Sequence, residues 1–299
     1  MRASDFIHPD DAAALERLRN IPALPSVMKK VFELGYDQIM WSENVTTNLR
    51  LGPSQVPEVY NLLPPICKQL GIPVPELYLN MNPLPNSWTS GQDRIYIVIT
   101  LGLVRRCSDE EIKAALAHEC GHIICNHVLY NTLAEAIYSF GDTLMESLIG
   151  QAINIVIMKG IRQALNAWQR ASELSADRVA CMVTSSGTLV RTLAKIERIP
   201  CFILQNLNFD AWAAQGEDYE LLKNGSAWSK IVRYMANSDM DHPYTPVRVY
   251  EAMKWEKSKA CIMLKNGLKL IANGQICPVC GNPVTPGWQF CKKCGAKLQ

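Results

Sequence analysis

The sequence predicts an α+β fold: a mainly helical core with a small β-sheet, followed by a small C-terminal module built around cysteines. Three observations carry this. Apolar residues recur at helical spacing between breaks marked by Pro and Gly. Two short runs, Pro75-Glu76-Leu77-Tyr78-Leu79 and Ile95-Tyr96-Ile97-Val98-Ile99, read as strands within that pattern. Residues 275–299 hold two Cys-x-x-Cys pairs and too few apolar residues to build a core.

Composition bounds the answer further. A chain of 299 residues, 48% hydrophobic and 19% charged, is that of a folded globular protein with a substantial core. A net charge of +2 argues for neither a nucleic-acid partner nor an acidic surface. Eleven cysteines suggest disulfides only in a short secreted chain; here four are accounted for by the paired knuckles. The other seven are scattered singly in apolar segments, which fits reduced, buried thiols and a cytoplasmic location. The start, Met1 to Phe6, lacks the apolar run of a signal peptide. The uncharged, apolar-leaning run at 147–158, between Glu146 and Lys159, falls short of the about twenty residues a spanning helix needs. A soluble protein is therefore expected. The rival is peripheral membrane contact through an interfacial helix at 133–161.

In chain order, residues 9–37 read as two helices: Pro9 suits a first turn, and Pro22 and Pro25 break the run before 27–34 resumes it. Residues 42–53 are polar and irregular, and a helix from Ser54 must kink or split at Pro64 and Pro65. Residues 1–53 are thus expected to pack on the core without chemistry of their own, and His8 to lie on the surface. After the strand at 75–79, residues 80–91 read as a loop rich in Asn, Pro and Ser. The strand at 95–99 has two readings. It is an ordinary buried strand, or its free edge pairs with an extended peptide.

Next comes Ala117-His118-Glu119-Cys120-Gly121-His122, preceded by a capping box at Ser108 and Glu111 and set in an apolar helical stripe. Two histidines four apart share one helix face, and both ring nitrogens reach one zinc ion. Glu119 sits beside the metal, where it takes a proton from the attacking water. A catalytic zinc takes a third protein ligand and keeps an open fourth position. Glu173 is the best candidate, in an apolar, small-residued segment that a helical pair at 133–157 and 161–184 brings back toward His118 and His122. Asp177, one turn later on the same face, is placed to hydrogen-bond a ligand histidine. His127, five residues past His122, points away from the ligand face by helical spacing and reads as structural or supporting. Residues 187–235 carry no motif. Thr245 and Pro246 start a helix to about Glu256, which leaves His242 in a stiff loop.

On these residues the chain resembles the HtpX and CAAX prenyl protease family of gluzincin metallopeptidases, over roughly residues 54–255. The matching elements are the HExxH at 118–122, the ExxxD at 173–177, Asp241-His242-Pro243, and Asn86-Ser87-Trp88-Thr89-Ser90-Gly91 with the strand at 95–100. The His8-Pro9 segment and the ending resemble a soluble bacterial branch with a C-terminal zinc ribbon. The resemblance implies a zincin-like core and assigns His242 to the oxyanion. It makes Ile95, Tyr96 and Ile97 the substrate-binding edge strand, and it puts Asn86 near the cleft. The chain departs from the family's membrane-embedded members, whose spans lie between the two zinc motifs.

Cys277, Cys280, Cys291 and Cys294 form a closed tetrahedral set, so a structural zinc is expected there. So small a module needs that metal to fold. The expected organisation is a segment at 1–53, a metallopeptidase domain at 54–272 and a ribbon at 275–299. The expected function is a zinc endopeptidase acting on peptides or proteins, with one catalytic and one structural zinc. The alternative is a catalytically silent scaffold whose ribbon binds protein or nucleic acid through Lys292, Lys293 and Lys297. Against it, no ligand and no general base is missing.

Overall fold

The structure, a computed structural model, describes residues 1–149, 155–223, 245–272, 275–285 and 287–298. The chain divides into two compact units, Met1–Met253 and Lys254–Gln299. The division expected at 272–275 therefore falls inside the second unit.

In the first unit, helices α1 (Pro9–Arg19), α2 (Leu24–Glu33) and α3 (Tyr36–Thr47) lead to strand β1 (Leu49–Leu51). The stretch expected to be irregular at 42–53 is thus mostly ordered. Tyr36 is buried in the core, and β1 gains its strand character by pairing with a later strand, neither of which local sequence reveals. Pro57 and Pro64 stand in the first turns of α4 (Pro57–Tyr60) and α5 (Leu63–Leu70), where a missing N–H costs nothing. The prolines therefore start helices rather than kink one.

Strands β2 (Glu76–Asn80), β3 (Ser87–Ser90) and β4 (Tyr96–Thr100) complete a four-stranded sheet of order β1-β2-β4-β3. β1 runs antiparallel to β2, β2 parallel to β4, and β3 antiparallel to β4. Consequently β4 is paired on both sides, with Tyr96 beside Glu76 and Ser90, and Ile97 beside Leu77 and Thr89. The expectation of a free edge at Ile95, Tyr96 and Ile97 is corrected here. The edge belongs to β3, inside what sequence reads as a loop.

Helix α6 (Leu101–Arg106) precedes α7 (Asp109–Ile124), which begins with the predicted capping box: the Ser108 N–H donates to Glu111 Oε2 at 2.7 Å. Lys195 donates to the same oxygen at 2.7 Å from α10 (Ser186–Ile196), pinning the start of α7. Between them lie α8 (Val128–Ile149) and α9 (Ile155–Val183). α7 and α9 cross in very close contact. A Cβ on Gly121 would lie 2.8 Å from Ala176 Cα, so glycine is what lets the two backbones meet.

One apolar core joins α1, α2, α3, α8 and α9 through Leu18, Leu24, Val27, Tyr36, Leu133, Ile137, Ile161 and Trp168. A second sits on the sheet, where Tyr78, Tyr96 and Val98 meet Trp41 and Trp88. A third joins α10, α12 (Phe209–Lys223) and α13 (Thr245–Glu256) through Val190, Ala213 and Val249, after the short α11 (Cys201–Leu204). Among the described residues, no helix is long and apolar enough to cross a membrane.

The second unit holds α14 (Lys259–Ala272) and two knuckle turns. In each knuckle a cysteine N–H donates across the turn, Cys277 to Asn282 O and Cys291 to Ala296 O, both at 2.8 Å. Gly281 (φ 68°) and Gly295 (φ 72°) supply the left-handed residue that closes each turn.

Candidate active site

The crossing of α7 and α9 brings His118, His122 and Glu173 to one point. His118 Nε2 lies 3.2 Å from His122 Nε2 and 3.3 Å from Glu173 Oε2, and His122 Nε2 lies 3.2 Å from Glu173 Oε1. A tetrahedral site with donors about 2.0–2.1 Å from the metal has edges of about 3.3–3.4 Å. Two imidazole nitrogens and a carboxylate at these separations fit zinc. All three residues are buried. Burial opposes charge on His118, yet Glu173 and Asp177 together carry its pKa up to about 10. The pocket is built to hold positive charge.

Each of the three donors is held from behind. Asp177 Oδ1 lies 2.9 Å from His118 Nδ1, which fixes the ring with Nε2 toward the metal position. Arg248, on α13, clasps Asp177 with Nη2 to Oδ1 at 2.6 Å and Nε to Oδ2 at 2.8 Å. Its Nη1 stands 3.0 Å from Glu173 Oε2. Burial works against both carboxylates, but Arg248 together with the neighbouring histidines outweighs it and holds Glu173 and Asp177 below their ordinary range. Sequence reasoning missed Arg248. Its only signal was its place on the helix that follows Asp241-His242-Pro243.

His122 is held by a longer chain of bonds. α7 ends at Ile124, and Asn126 turns the backbone at φ 60°, so the His127 N–H reaches back to His122 O at 2.9 Å. The His127 ring then meets His122, Nδ1 to Nδ1 at 3.1 Å, and its Nε2 lies 2.9 Å from Asp11 Oδ2. With His122 Nε2 facing the metal position, its Nδ1 carries the proton and donates to His127, which donates in turn to Asp11. Burial holds His127 below its ordinary pKa, so it stays the neutral ring this chain needs. Asp11 is almost wholly buried and also accepts from Trp168 Nε1 (3.0 Å) and Ser175 Oγ (2.6 Å). His8 is buried rather than exposed: its N–H donates to Ser175 Oγ at 2.8 Å, and its ring lies 3.3 Å from Glu251.

Glu119 faces the sheet. Ser87 Oγ donates to its Oε1 and Thr89 Oγ1 to its Oε2, both at 2.7 Å. Residues two apart on a strand share a face, so one short edge strand holds both oxygens of this carboxylate. The three donors, Glu119, Arg248 and β3 residues line one cleft of about 240 Å³. Asn86 is exposed at its rim. Ile95, Tyr96 and Ile97 are absent from its lining. His242 lies outside the described residues.

In the second unit the four ribbon cysteines converge. Sγ of Cys277 and Cys294 are 3.7 Å apart, as are those of Cys280 and Cys291. Four thiolates about 2.3 Å from a tetrahedral zinc are about 3.8 Å apart, so this set fits the metal as well.

Residues 53–256 match the profile of Peptidase family M48, and residues 276–298 match that of the zinc-ribbon domain. The chain is 30% identical over 260 residues, 86% of its length, to Plastoglobule-localized metallopeptidase 48, chloroplastic, of Arabidopsis thaliana, and covers 73% of that protein. It is 23% identical over 237 residues to Protease HtpX homolog 2 of Methanosarcina mazei, spanning 68% of this chain and 74% of the relative. Protease HtpX homolog of Pelotomaculum thermopropionicum is 30% identical over 108 residues, only 36% of this chain and 38% of that one. No solved structure matches.

Proposed function

The chain belongs to peptidase family M48, and on that premise we propose that it is an endopeptidase with His118, His122 and Glu173 as zinc ligands and Glu119 as general base. That it is a zinc-dependent metallopeptidase follows from the family. The observation that carries the finer reading is the three-donor triangle with Glu119 clamped beside it.

Zinc, when bound with one position open, acidifies a water and polarises a carbonyl. The chain's own residues do the rest. Glu119 takes the proton of the attacking water and returns it to the leaving amine. Ser87 and Thr89 orient both its oxygens, so the carboxylate does not turn away between the two transfers. The outer edge of β3 offers main-chain groups to an extended peptide, which would join the sheet as a further strand. In this reading the substrate-binding residues are Asn86, Ser87 and Thr89, not Ile95, Tyr96 and Ile97. His242 is the proposed oxyanion donor, on the resemblance given above.

We further assign one structural zinc to Cys277, Cys280, Cys291 and Cys294, making two zinc ions per chain. The seven other cysteines stand in no disulfide, which supports a reducing compartment and a cytoplasmic location. Peptide-library digestion by wild type and Glu119→Gln, with zinc counted on both, tests the assignment. The variant keeps its metal and loses about a thousandfold or more in turnover. Hydrolysis by a contaminant-free variant at near wild-type rate would remove Glu119 from the mechanism.

A further inference from the structure

Resting on the peptidase reading, a further inference concerns what the cleft selects. Its lining is of two kinds. Ala115, Leu189, Leu193 and Ile196 form an apolar stretch from α7 and α10. Asn131, Glu135, Tyr138 and Gln169, from α8 and α9, form a polar one. The polar stretch lies at the Ser90 end of β3, because Ser90 Oγ donates to Glu135 Oε2 at 2.9 Å. Residues 131, 135 and 138 share one face of α8, turned to the same space.

None of the side chains that line this end of the cleft is cationic; Arg162 stands nearby, over the Tyr138 ring. Among the described residues no Lys, Arg or His pairs with Glu135, and Arg248 is taken up by Glu173 and Asp177. Gln169 Oε1 is buried with no hydrogen-bond partner. Burial pushes Glu135 up to about 7, with only the Ser90 bond opposing. A partly buried carboxylate without a counter-ion and a buried, orphaned amide oxygen are costly, unless something supplies donors. A cationic side chain supplies both. The rim suits its aliphatic stem, since the half-exposed Tyr138 ring flanks the opening and carries Arg162 at 5.5 Å on it. We propose that the polar end of the cleft is a subsite for a Lys or Arg side chain of the peptide substrate, with Glu135 as its counter-charge.

The test uses matched peptides that differ only in Lys, Arg, norleucine or Glu, placed in turn at each position around the scissile bond. On the zinc-loaded full chain, kcat/KM for Lys or Arg exceeds that for norleucine by about tenfold at one position on one side of the bond. Glu135→Gln, which is isosteric, brings that ratio near one. Glu135→Lys inverts it in favour of the Glu peptide, an outcome that loss of folding does not produce. A wild type with no basic preference, or one whose preference survives in Glu135→Gln, overturns the subsite. If wild type cleaves no peptide, the peptidase reading fails separately. Binding of the same peptides to Glu119→Gln, followed by fluorescence anisotropy, then decides the subsite. Tighter binding of the Lys peptide supports it, and equal binding of the Lys and norleucine peptides sinks it.

Discussion

At the scale of single residues, the two histidines of α7 are supported unequally, and this has a measurable consequence. His118 leans on one carboxylate, itself gripped by Arg248. His122 leans on a neutral histidine, and only through it on Asp11, a residue of the N-terminal helix outside the M48 match. Asp11→Asn keeps the shape but weakens the acceptor that sets His127's tautomer. Zinc affinity should fall by about 10–100-fold, read by competition with a chelator. An unchanged zinc dissociation constant would reduce Asp11 to a packing role. The proposed metal ligands and Glu119 were legible because a helix converts sequence spacing directly into a shared face. His127 was legible only in part. The spacing argument assumes a continuing helix, whereas α7 stops at Ile124 and Asn126 turns the ring back. Asp11 gave no signal at all. An acidic residue in the first turn of a helix is ordinarily explained by the helix dipole.

Among elements, the closeness of α7 and α9 makes the three-ligand site possible, and Gly121 sets it. A side chain there meets Ala176 backbone atoms at 2.8–3.0 Å, which no rotamer change relieves. Gly121→Val should part the helices, cost about 1–3 kcal/mol or more of stability, and carry Glu173 away from both histidines. Zinc binding at the catalytic site should fall with it. Gly160, also helical, has nothing within 4 Å of an added Cβ, so Gly160→Ala serves as the control. It should stabilise by about 0.5–1 kcal/mol and leave the metal untouched. Melting temperature and zinc content on both variants decide this, and full zinc in Gly121→Val would defeat it. The sheet shows the opposite kind of legibility. A continuous apolar run such as 96–99 is legible as a strand, although its place, buried and paired on both sides as β4, is not. A free edge is polar and short, so Ser-Trp-Thr-Ser looked like loop until β4 paired with it.

For the whole molecule, the question is whether the two metal sites are independent. The catalytic donors all lie within Met1–Met253 and the ribbon cysteines within Lys254–Gln299. Their chemistry differs as well. Three buried N and O donors would leave a position open on a tetrahedral zinc, whereas four thiolates would close its shell. Thiolate sites in modules too small for a core fold only with metal, so the ribbon should unfold when its zinc is stripped. The helical unit has an extensive apolar core and should keep its fold without metal. A chain ending at Gln275 is expected to carry one zinc instead of two and to retain peptidase activity within about twofold, since no group assigned to catalysis is removed. Elemental analysis and turnover on the same preparation read both quantities. Loss of both metals on truncation would mean that the ribbon is needed to hold the catalytic unit together. Loss of activity with one zinc retained would mean that it takes part in presenting substrate.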